Sequence, residues 1–315
     1  MKRKSLITSI SGTTLTKQEK ELIKSEMPWG VILFKRNISS FHQTKKLIDS
    51  IKKTINDKNY PILIDEEGGK VSRLSSFLDN KIYSQKYFGD LYNFNKEKSI
   101  AIYKNYISSI SMIFKDLGIN INTVPVLDII KKNTNKIIGS RSYSNNLKVI
   151  KILGSICSKT YKKNKIATVI KHIPGHGSSS SDSHLILPIV KTSYKELKRI
   201  DFNCFKKINT HFAMTAHILY KNLDSKNTAT HSKLIIKKII RNEIGFKGII
   251  ISDDIAMKAL KYDIFTNAKK SLEAGCNLVL YCSGNYNESK KLLKKMPLID
   301  SFTIKKTSEF YRFLS

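Results

Sequence analysis

The chain has 315 residues, of which 41% are hydrophobic, and this composition is typical of a globular protein and excludes a largely disordered one. The formal net charge is +31, but the lysines are spread over the whole chain, so we favour a solvated basic surface and keep a polyanion-binding face as the alternative. The four cysteines are scattered without CxxC spacing, which predicts reduced core thiols rather than disulfides or zinc ligands.

The first residues, MKRKSLITSISG, carry basic side chains, but polar residues such as Thr8, Ser9 and Ser11 interrupt their apolar run. This pattern does not predict a secretory signal. No stretch approaches the roughly 18 apolar residues of a membrane span. We therefore expect a cytoplasmic protein whose substrate is made in the cytoplasm or imported into it.

Short apolar runs alternate with helical patterns along the chain. The predicted strands lie at 6–10, 30–34, 61–64, 119–124, 167–170, 212–216, 248–252 and 277–281. The clearest helical patterns lie at 16–25, 40–55, 96–117 and 147–163. This alternation predicts an α/β fold, a single (β/α)8 TIM-type barrel in which we allow for an irregular early strand. No change in composition marks a second domain, so we expect residues 1–315 to form one catalytic domain.

Polar residues follow the predicted strands at the point where several of them end. They are Asp65, Asp128, Lys171, His172, His217, Asp253 and Asp254. In a barrel of parallel strands these ends meet on one face, where the active sites of such folds are built. The sequence therefore predicts a pocket at this face.

The stretch 167–188, ATVIKHIPGHGSSSSDSHLILP, begins as a buried strand and continues as a loop that Pro, Gly and serine residues keep irregular. Asp182 lies two residues before His184, so the carboxylate could orient the imidazole and raise its basicity. One alternative is a plain surface loop. Another is a zinc site formed by His172, His176, Asp182 and His184, which the Pro-Gly pair between the first two disfavours because it prevents a helix.

The segment KHIPGHGSSSSDSH and the following LP resemble the signature K-H-F-P-G-H-G-D-T-x-x-D-S-H-x-x-L-P of bacterial β-N-acetylhexosaminidases of glycoside hydrolase family three. The departures are Ile173 for Phe, and Ser178 and Ser179 for Asp-Thr. Four further segments resemble the same family. DEEGGKVSR is similar to D-Q-E-G-G-R-V-x-R, IGSRSY to I-G-D-R-S-F, GVILFKRN to G-V-I-L-F-x-R-N, and SDDIAM to S-D-D-L-x-M.

The resemblance implies a retaining exo-β-N-acetylglucosaminidase. In this interpretation Asp253 is the nucleophile, His184 is the acid/base and Asp182 orients His184. The residues implied to bind the sugar are Asp65, Arg73, Arg141, Lys171 and His172. We expect Asp254, Arg36 and Asn37 to be structural.

The implied substrate is a small molecule, terminal β-linked N-acetylglucosamine on muropeptides released during cell-wall recycling. The resemblance implies no metal and no organic cofactor. We also expect a monomer without a specific nucleic-acid partner and without membrane attachment.

Three alternatives stay open at this point. A β-glucosidase-like relative usually has an aromatic residue after the nucleophile and takes its acid/base from a second domain, whereas this chain has Asp254 there. A phosphorolytic relative is the second, because a histidine acid/base repels phosphate less than a carboxylate does. The third, from a different class, is a polyanion-binding protein on an inactive barrel.

Overall fold

The computed structural model describes residues 2–132, 134–135, 138–179, 181–183 and 186–315. The strands are β1 (Lys4–Thr8), β2 (Pro28–Leu33), β3 (Ile62–Ile64), β4 (Ile121–Asn122), β5 (Ala167–Ile173), β6 (Ile189–Val190), β7 (Phe212–Thr215), β8 (Leu219–Tyr220), β9 (Ile249–Asp254) and β10 (Leu278–Leu280). The helices are α1 (Lys17–Glu26), α2 (Phe41–Ile55), α3 (Gln85–Phe94), α4 (Lys96–Leu117), α5 (Leu147–Lys163), α6 (Tyr194–Arg199), α7 (Ile264–Ala274), α8 (Tyr286–Lys295) and α9 (Ser301–Leu314), with a π-helix at Ile235–Glu243.

Eight of the strands close a parallel barrel in the order β1-β10-β9-β7-β5-β4-β3-β2. This confirms the predicted (β/α)8 fold and all eight predicted strands. The early irregularity is a register shift between Lys4 and Ile7, where β1 pairs with β2. β6 and β8 were not predicted, and they pair with each other in a separate two-stranded sheet.

The predicted helices form where their sequences carry clear end signals. The Thr16 side chain accepts from the Glu19 backbone N–H, and the Glu19 carboxylate accepts from the Thr16 backbone N–H, which together form a capping box that begins α1. Asn95 caps the start of α4, and Gly118, with φ of 89°, ends it in the left-handed conformation. None of the helices in the described ranges is long and apolar enough to cross a membrane.

The barrel interior is filled by apolar side chains of the strands, and its N-terminal end is closed by α9. Trp29 at the start of β2 packs edge-on against Phe212 of β7, with ring centroids 5.5 Å apart. Phe310 of α9 lies 5.3 Å from Phe212, and the Trp29 indole donates to the Thr307 hydroxyl at 3.0 Å. These aromatic side chains fill the interior of the barrel at its N-terminal end.

Candidate active site

A cavity of about 180 Å³ opens at the C-terminal ends of the barrel strands. Its lining includes six of the predicted site residues, namely Asp65, Arg73, Arg141, Lys171, His172 and Asp253. Apolar side chains complete the wall, among them Phe34, Met214 and Met257. The pocket therefore has both apolar walls and charged groups that converge on it, a combination that is common in binding sites for small ligands.

Asp65 follows β3 directly and is held by two cations and a hydroxyl. Its carboxylate accepts from Lys171 Nζ at 3.1 Å and from Arg73 Nη2 at 3.2 Å. Thr123 Oγ1 also donates to it. Burial alone would raise the pKa of Asp65, but Lys171 and Arg73 hold it well below its ordinary value. Asp65 is therefore a carboxylate, able to accept hydrogen bonds from a ligand.

Glu67 belongs to the site although the sequence analysis did not select it. Its side chain is 1% exposed, accepts a bidentate pair from Arg141 at 2.8 and 2.9 Å, and lies 2.7 Å from Lys171 Nζ. Burial opposes ionisation, but Arg141 and Lys171 lower the pKa of Glu67 to about 2. Glu67 thus fixes two of the predicted sugar-binding cations, and its signal in the sequence is the third carboxylate of the DEEGG segment.

The neighbouring Glu66 has a different role. Its carboxylate accepts from the backbone N–H groups of Arg73 and Leu74 at 2.7 and 3.0 Å and from Asn80 Nδ2 at 2.5 Å. Burial raises its pKa. Glu66 therefore folds the loop after β3 back on itself and places Arg73 beside Asp65.

His172 is oriented by Asp128, which follows β4 and is buried. His172 Nδ1 lies 2.7 Å from Asp128 Oδ2, and the backbone N–H of His176 donates to Oδ1 at 2.6 Å. Burial would raise the pKa of Asp128, but His172 lowers it. The contact leaves His172 Nε2 toward the cavity, 3.4 Å from Arg141 Nη2. The strand-end pattern indicated Asp128, and the structure places its carboxylate against His172 rather than in the lining of the cavity.

His176 lies in the same wall, and burial lowers its pKa to about 4, so the ring is neutral. Its Nε2 is 3.4 Å from Ser183 Oγ. Among the residues that the structure describes, no group of three or more His, Cys, Asp or Glu side chains is arranged to hold a metal ion. His184 lies outside the described residues, as do Ser180 and Leu185, and Asp182 is described on the same loop.

Asp253 and Asp254 end β9 on the opposite side of the ring from β3, since the two strands are four positions apart in the barrel order. Asp253 accepts the backbone N–H of Asp254 at 2.8 Å. Burial would raise its pKa, but His217 and His172, that N–H and Lys171 keep the pKa of Asp253 below its ordinary value. Asp253 is therefore ionised at neutral pH.

Asp254 is placed as a structural neighbour of this carboxylate. Its Oδ1 accepts from the backbone N–H groups of Ala256 and Cys282, each at 3.2 Å, and its carbonyl lies 3.0 Å from His217 Nε2. These bonds fix the end of β9 and with it the direction of Asp253.

Arg36 and Asn37 hold loops together, in agreement with the structural role expected of them. Arg36 donates to the carbonyls of Ile10 and Cys282 at 3.1 and 2.6 Å. Asn37 Nδ2 donates to the Gly12 carbonyl at 2.9 Å.

A second cavity, of about 440 Å³, lies at the N-terminal ends of β7 and β9. Lysines line it, among them Lys162, Lys207, Lys247 and Lys306, and none of the predicted site residues does. Its size exceeds that of the first cavity, but its lining has a single histidine, His211, and a single carboxylate, Glu309, rather than the cluster found at the other end.

The chain is similar to known proteins over nearly its whole length. The family model of the glycosyl hydrolase family 3 N-terminal domain matches residues 4–306. A β-hexosaminidase of Nitrosomonas eutropha is 31% identical over 283 residues, which cover 88% of this chain and 80% of that protein. A β-hexosaminidase of Neisseria gonorrhoeae is 31% identical over 286 residues, covering 88% and 78%.

Solved structures give the same result. NagZ from Neisseria gonorrhoeae in complex with N-trifluoroacetyl-D-glucosamine superposes with a TM-score of 0.88 at 28% identity, over 100% of this chain and 90% of that one. A glycoside hydrolase family 3 β-N-acetylglucosaminidase from Paenibacillus sp. has a TM-score of 0.84 at 25% identity, and this chain spans 60% of its length. The barrel, its charged cavity and these matches agree, and the chain belongs to glycoside hydrolase family 3 and is a glycoside hydrolase.

Proposed function

We propose that this glycoside hydrolase is a retaining exo-β-N-acetylglucosaminidase that removes terminal β-linked N-acetylglucosamine from peptidoglycan fragments. The names of its relatives, β-hexosaminidases and a NagZ bound to an N-acylated glucosamine, support the choice of sugar. We place the enzyme in cytoplasmic cell-wall recycling, acting as a monomer on a soluble muropeptide. We further propose that residues 1–315 form a single catalytic domain.

One observation carries the proposal. An ionised carboxylate, Asp253, faces the cavity from the end of β9, while Asp65 and the cations around it line the far wall at β3 and β5. A sugar ring bound to the far wall would therefore present its anomeric carbon to Asp253. A carboxylate opposite a polar sugar-binding wall is the arrangement that retaining glycoside hydrolysis needs.

In the proposed mechanism a carboxylate oxygen of Asp253 attacks C1 of the sugar and forms a covalent glycosyl-enzyme. The bond from C1 to the leaving oxygen breaks, and the imidazolium of His184 donates its proton to that oxygen. In the second half the neutral His184 takes a proton from water, the water oxygen attacks C1, and the bond to Asp253 breaks. Asp182 holds the imidazole in the required orientation.

The far wall supplies recognition. Asp65 accepts hydrogen bonds from sugar hydroxyls, while Lys171 and His172 donate to them. Arg73 and Arg141 donate to the same sugar or to an acidic group of the leaving part. Each of these four donors already contacts a carboxylate of the protein, and the pocket is therefore formed before the sugar binds.

The test compares release of nitrophenol from aryl β-N-acetylglucosaminide and from aryl β-glucoside, with and without phosphate. We expect turnover of the acetamido sugar only, unchanged by phosphate, and a loss of more than about 10³-fold in Asp253→Ala and in His184→Ala. Asp49→Ala is the matched control, because Asp49 is an exposed aspartate of α2, and it should keep full activity.

Each other outcome has a defined meaning. Preference for the glucoside would assign a β-glucosidase-like specificity, and stimulation by phosphate would assign phosphorolysis. No turnover of either sugar by folded wild-type protein would refute the proposed hydrolase, as would full activity in Asp253→Ala.

A further inference from the structure

Three side chains from distant parts of the chain meet at the start of the serine-rich loop 178–183. Lys131 Nζ donates to Ser178 Oγ at 2.6 Å and to Asp201 Oδ2 at 2.7 Å. Ser178 Oγ donates to the two carboxylate oxygens of Asp201, at 3.1 and 3.2 Å. Lys131 follows β4, Ser178 follows β5 and Asp201 follows α6, so the cluster ties three connections together.

The cluster is an ion pair of which one member is fully buried. The Asp201 side chain is 0% exposed and that of Lys131 is 22% exposed. In the described part of the chain, Lys131 is the only basic side chain that forms a salt bridge with Asp201. A buried carboxylate that loses its cation is strongly disfavoured, which makes Lys131 necessary to this corner of the fold.

A serine at position 178 suits the contact with Asp201 and Lys131, whereas the aspartate that the family signature has at this position does not. That signature has Asp where this chain has Ser178. A second carboxylate about 3 Å from Asp201 would repel it. The Lys131 ammonium, which also lies 3.6 Å from the exposed carboxylate of Glu196, would have to offset this additional negative charge. The hydroxyl instead donates to Asp201 and accepts from Lys131. Lys131 and Ser178 therefore form a matched pair.

Two residues that follow Lys131 in the sequence contact the same loop at two further points. Thr134 Oγ1 donates to the Gly177 carbonyl at 2.5 Å, and the Asn135 N–H donates to the Ser179 carbonyl at 2.9 Å. Gly177 is packed so closely that a Cβ there would collide with the Ile129 carbonyl. Ile129, Thr134 and Asn135 thus lie along residues 177–179, which come shortly before Asp182 and His184 in the sequence.

We propose that Lys131, together with Asp201, is a positioning residue that sets the direction in which the acid/base loop leaves the barrel. This inference rests on the proposed function, in which His184 on that loop protonates the leaving group. Lys131 does not line the cavity, so in this proposal it contacts neither the sugar nor the reacting atoms. Its effect is to fix the start of the loop at Ser178, so that His184 is directed toward the leaving oxygen.

The test uses the dependence of the rate on the leaving group. A dinitrophenolate leaves with little protonation, whereas an unsubstituted phenolate needs an acid. In Lys131→Met we expect kcat/KM for phenyl β-N-acetylglucosaminide to fall by about 10- to 100-fold and that for the dinitrophenyl glycoside by less than about threefold. Lys132→Met is the matched control, since Lys132 is the exposed neighbour, and it should leave both values unchanged.

A second pair of variants covers the case in which Lys131→Met does not fold. Ser178→Asp adds a charge beside Asp201, and Ser178→Asn has nearly the same size without it. We expect kcat/KM for the phenyl glycoside to be lower by about threefold or more in Ser178→Asp than in Ser178→Asn. Equal losses for both leaving groups, or equal behaviour of the two Ser178 variants, would overturn the inference. Absence of turnover in the wild type would instead refute the proposed function.

Discussion

The ion pairs of Glu67 predict a measurable and pH-dependent contribution to stability. Glu67 is almost fully buried, and Arg141 and Lys171 lower its pKa from the ordinary 4.5 to about 2. That difference corresponds to about 3 kcal/mol of stabilisation at neutral pH. It agrees with the roughly 3–5 kcal/mol lost when one partner of a buried ion pair is removed. Glu67→Gln keeps the shape and removes the charge, so it should lower the free energy of unfolding by about 3 kcal/mol at pH 7.

The sign of the pH dependence follows from the direction of the pKa change. A carboxyl group with a lowered pKa in the folded state stabilises it above pH 4.5, and this stabilisation is lost as the pH falls toward 2. The difference in the free energy of unfolding between wild type and Glu67→Gln should therefore be smaller by about 1.4 kcal/mol at pH 3.5 than at pH 7.

Urea unfolding at both pH values, monitored by circular dichroism, measures this difference in the free energy of unfolding. Glu309→Gln is the control, because Glu309 pairs with Lys306 on the surface and its side chain is 34% exposed, so its change should stay below about 1 kcal/mol. If Glu67→Gln lowers the free energy of unfolding by less than about 0.5 kcal/mol at pH 7, or by the same amount at both pH values, the stabilising role of these ion pairs is refuted.

Two further predictions concern the plug and the cavity. Trp29→Ala should lower the free energy of unfolding by about 3–5 kcal/mol, because it empties the aromatic plug beneath the barrel. Thr307→Val removes the indole's acceptor and the hydroxyl's own bond to the Thr303 carbonyl but keeps the packing, and it should cost about 1–2 kcal/mol. Urea unfolding checks both, and equal costs would contradict the packing argument. Asp128→Asn should lower kcat/KM about 10- to 100-fold, because His172 loses its charged ring partner. Steady-state kinetics with an aryl β-N-acetylglucosaminide checks this, and an unchanged kcat/KM would show that Asp128 does not orient His172.

The strands were predictable because buried parallel strands are continuous apolar runs with sharp ends. The runs Ile62–Ile64 and 249–251 are of this kind, and polar residues at their ends correctly indicated which side chains face the cavity. β5 was predicted to end at 170 but continues to Ile173. Lys171 and His172 are polar and yet buried, because Asp65, Glu67 and Asp128 neutralise or orient them.

Other features could not be read from local patterns. β6 and β8 are two residues long each, which is too short for any periodicity to register. Glu67 and Arg141 are 74 residues apart, and Lys131 and Asp201 are 70 apart, so each pair exists only through the closure of the barrel. The resemblance to the family supplied roles for single residues, but the partners that fix their charge and direction come from the three-dimensional contacts.

The most direct test of the account is to trap the covalent intermediate. A slow fluorinated N-acetylglucosaminyl donor with a good leaving group is incubated with the wild type, and the protein is digested with trypsin and sequenced by mass spectrometry. We predict a single sugar adduct on the peptide 248–258, with fragment ions that place it on Asp253 rather than Asp254. An adduct on another residue, or turnover that inverts the anomeric configuration without any adduct, would contradict the assignment of Asp253 as the nucleophile.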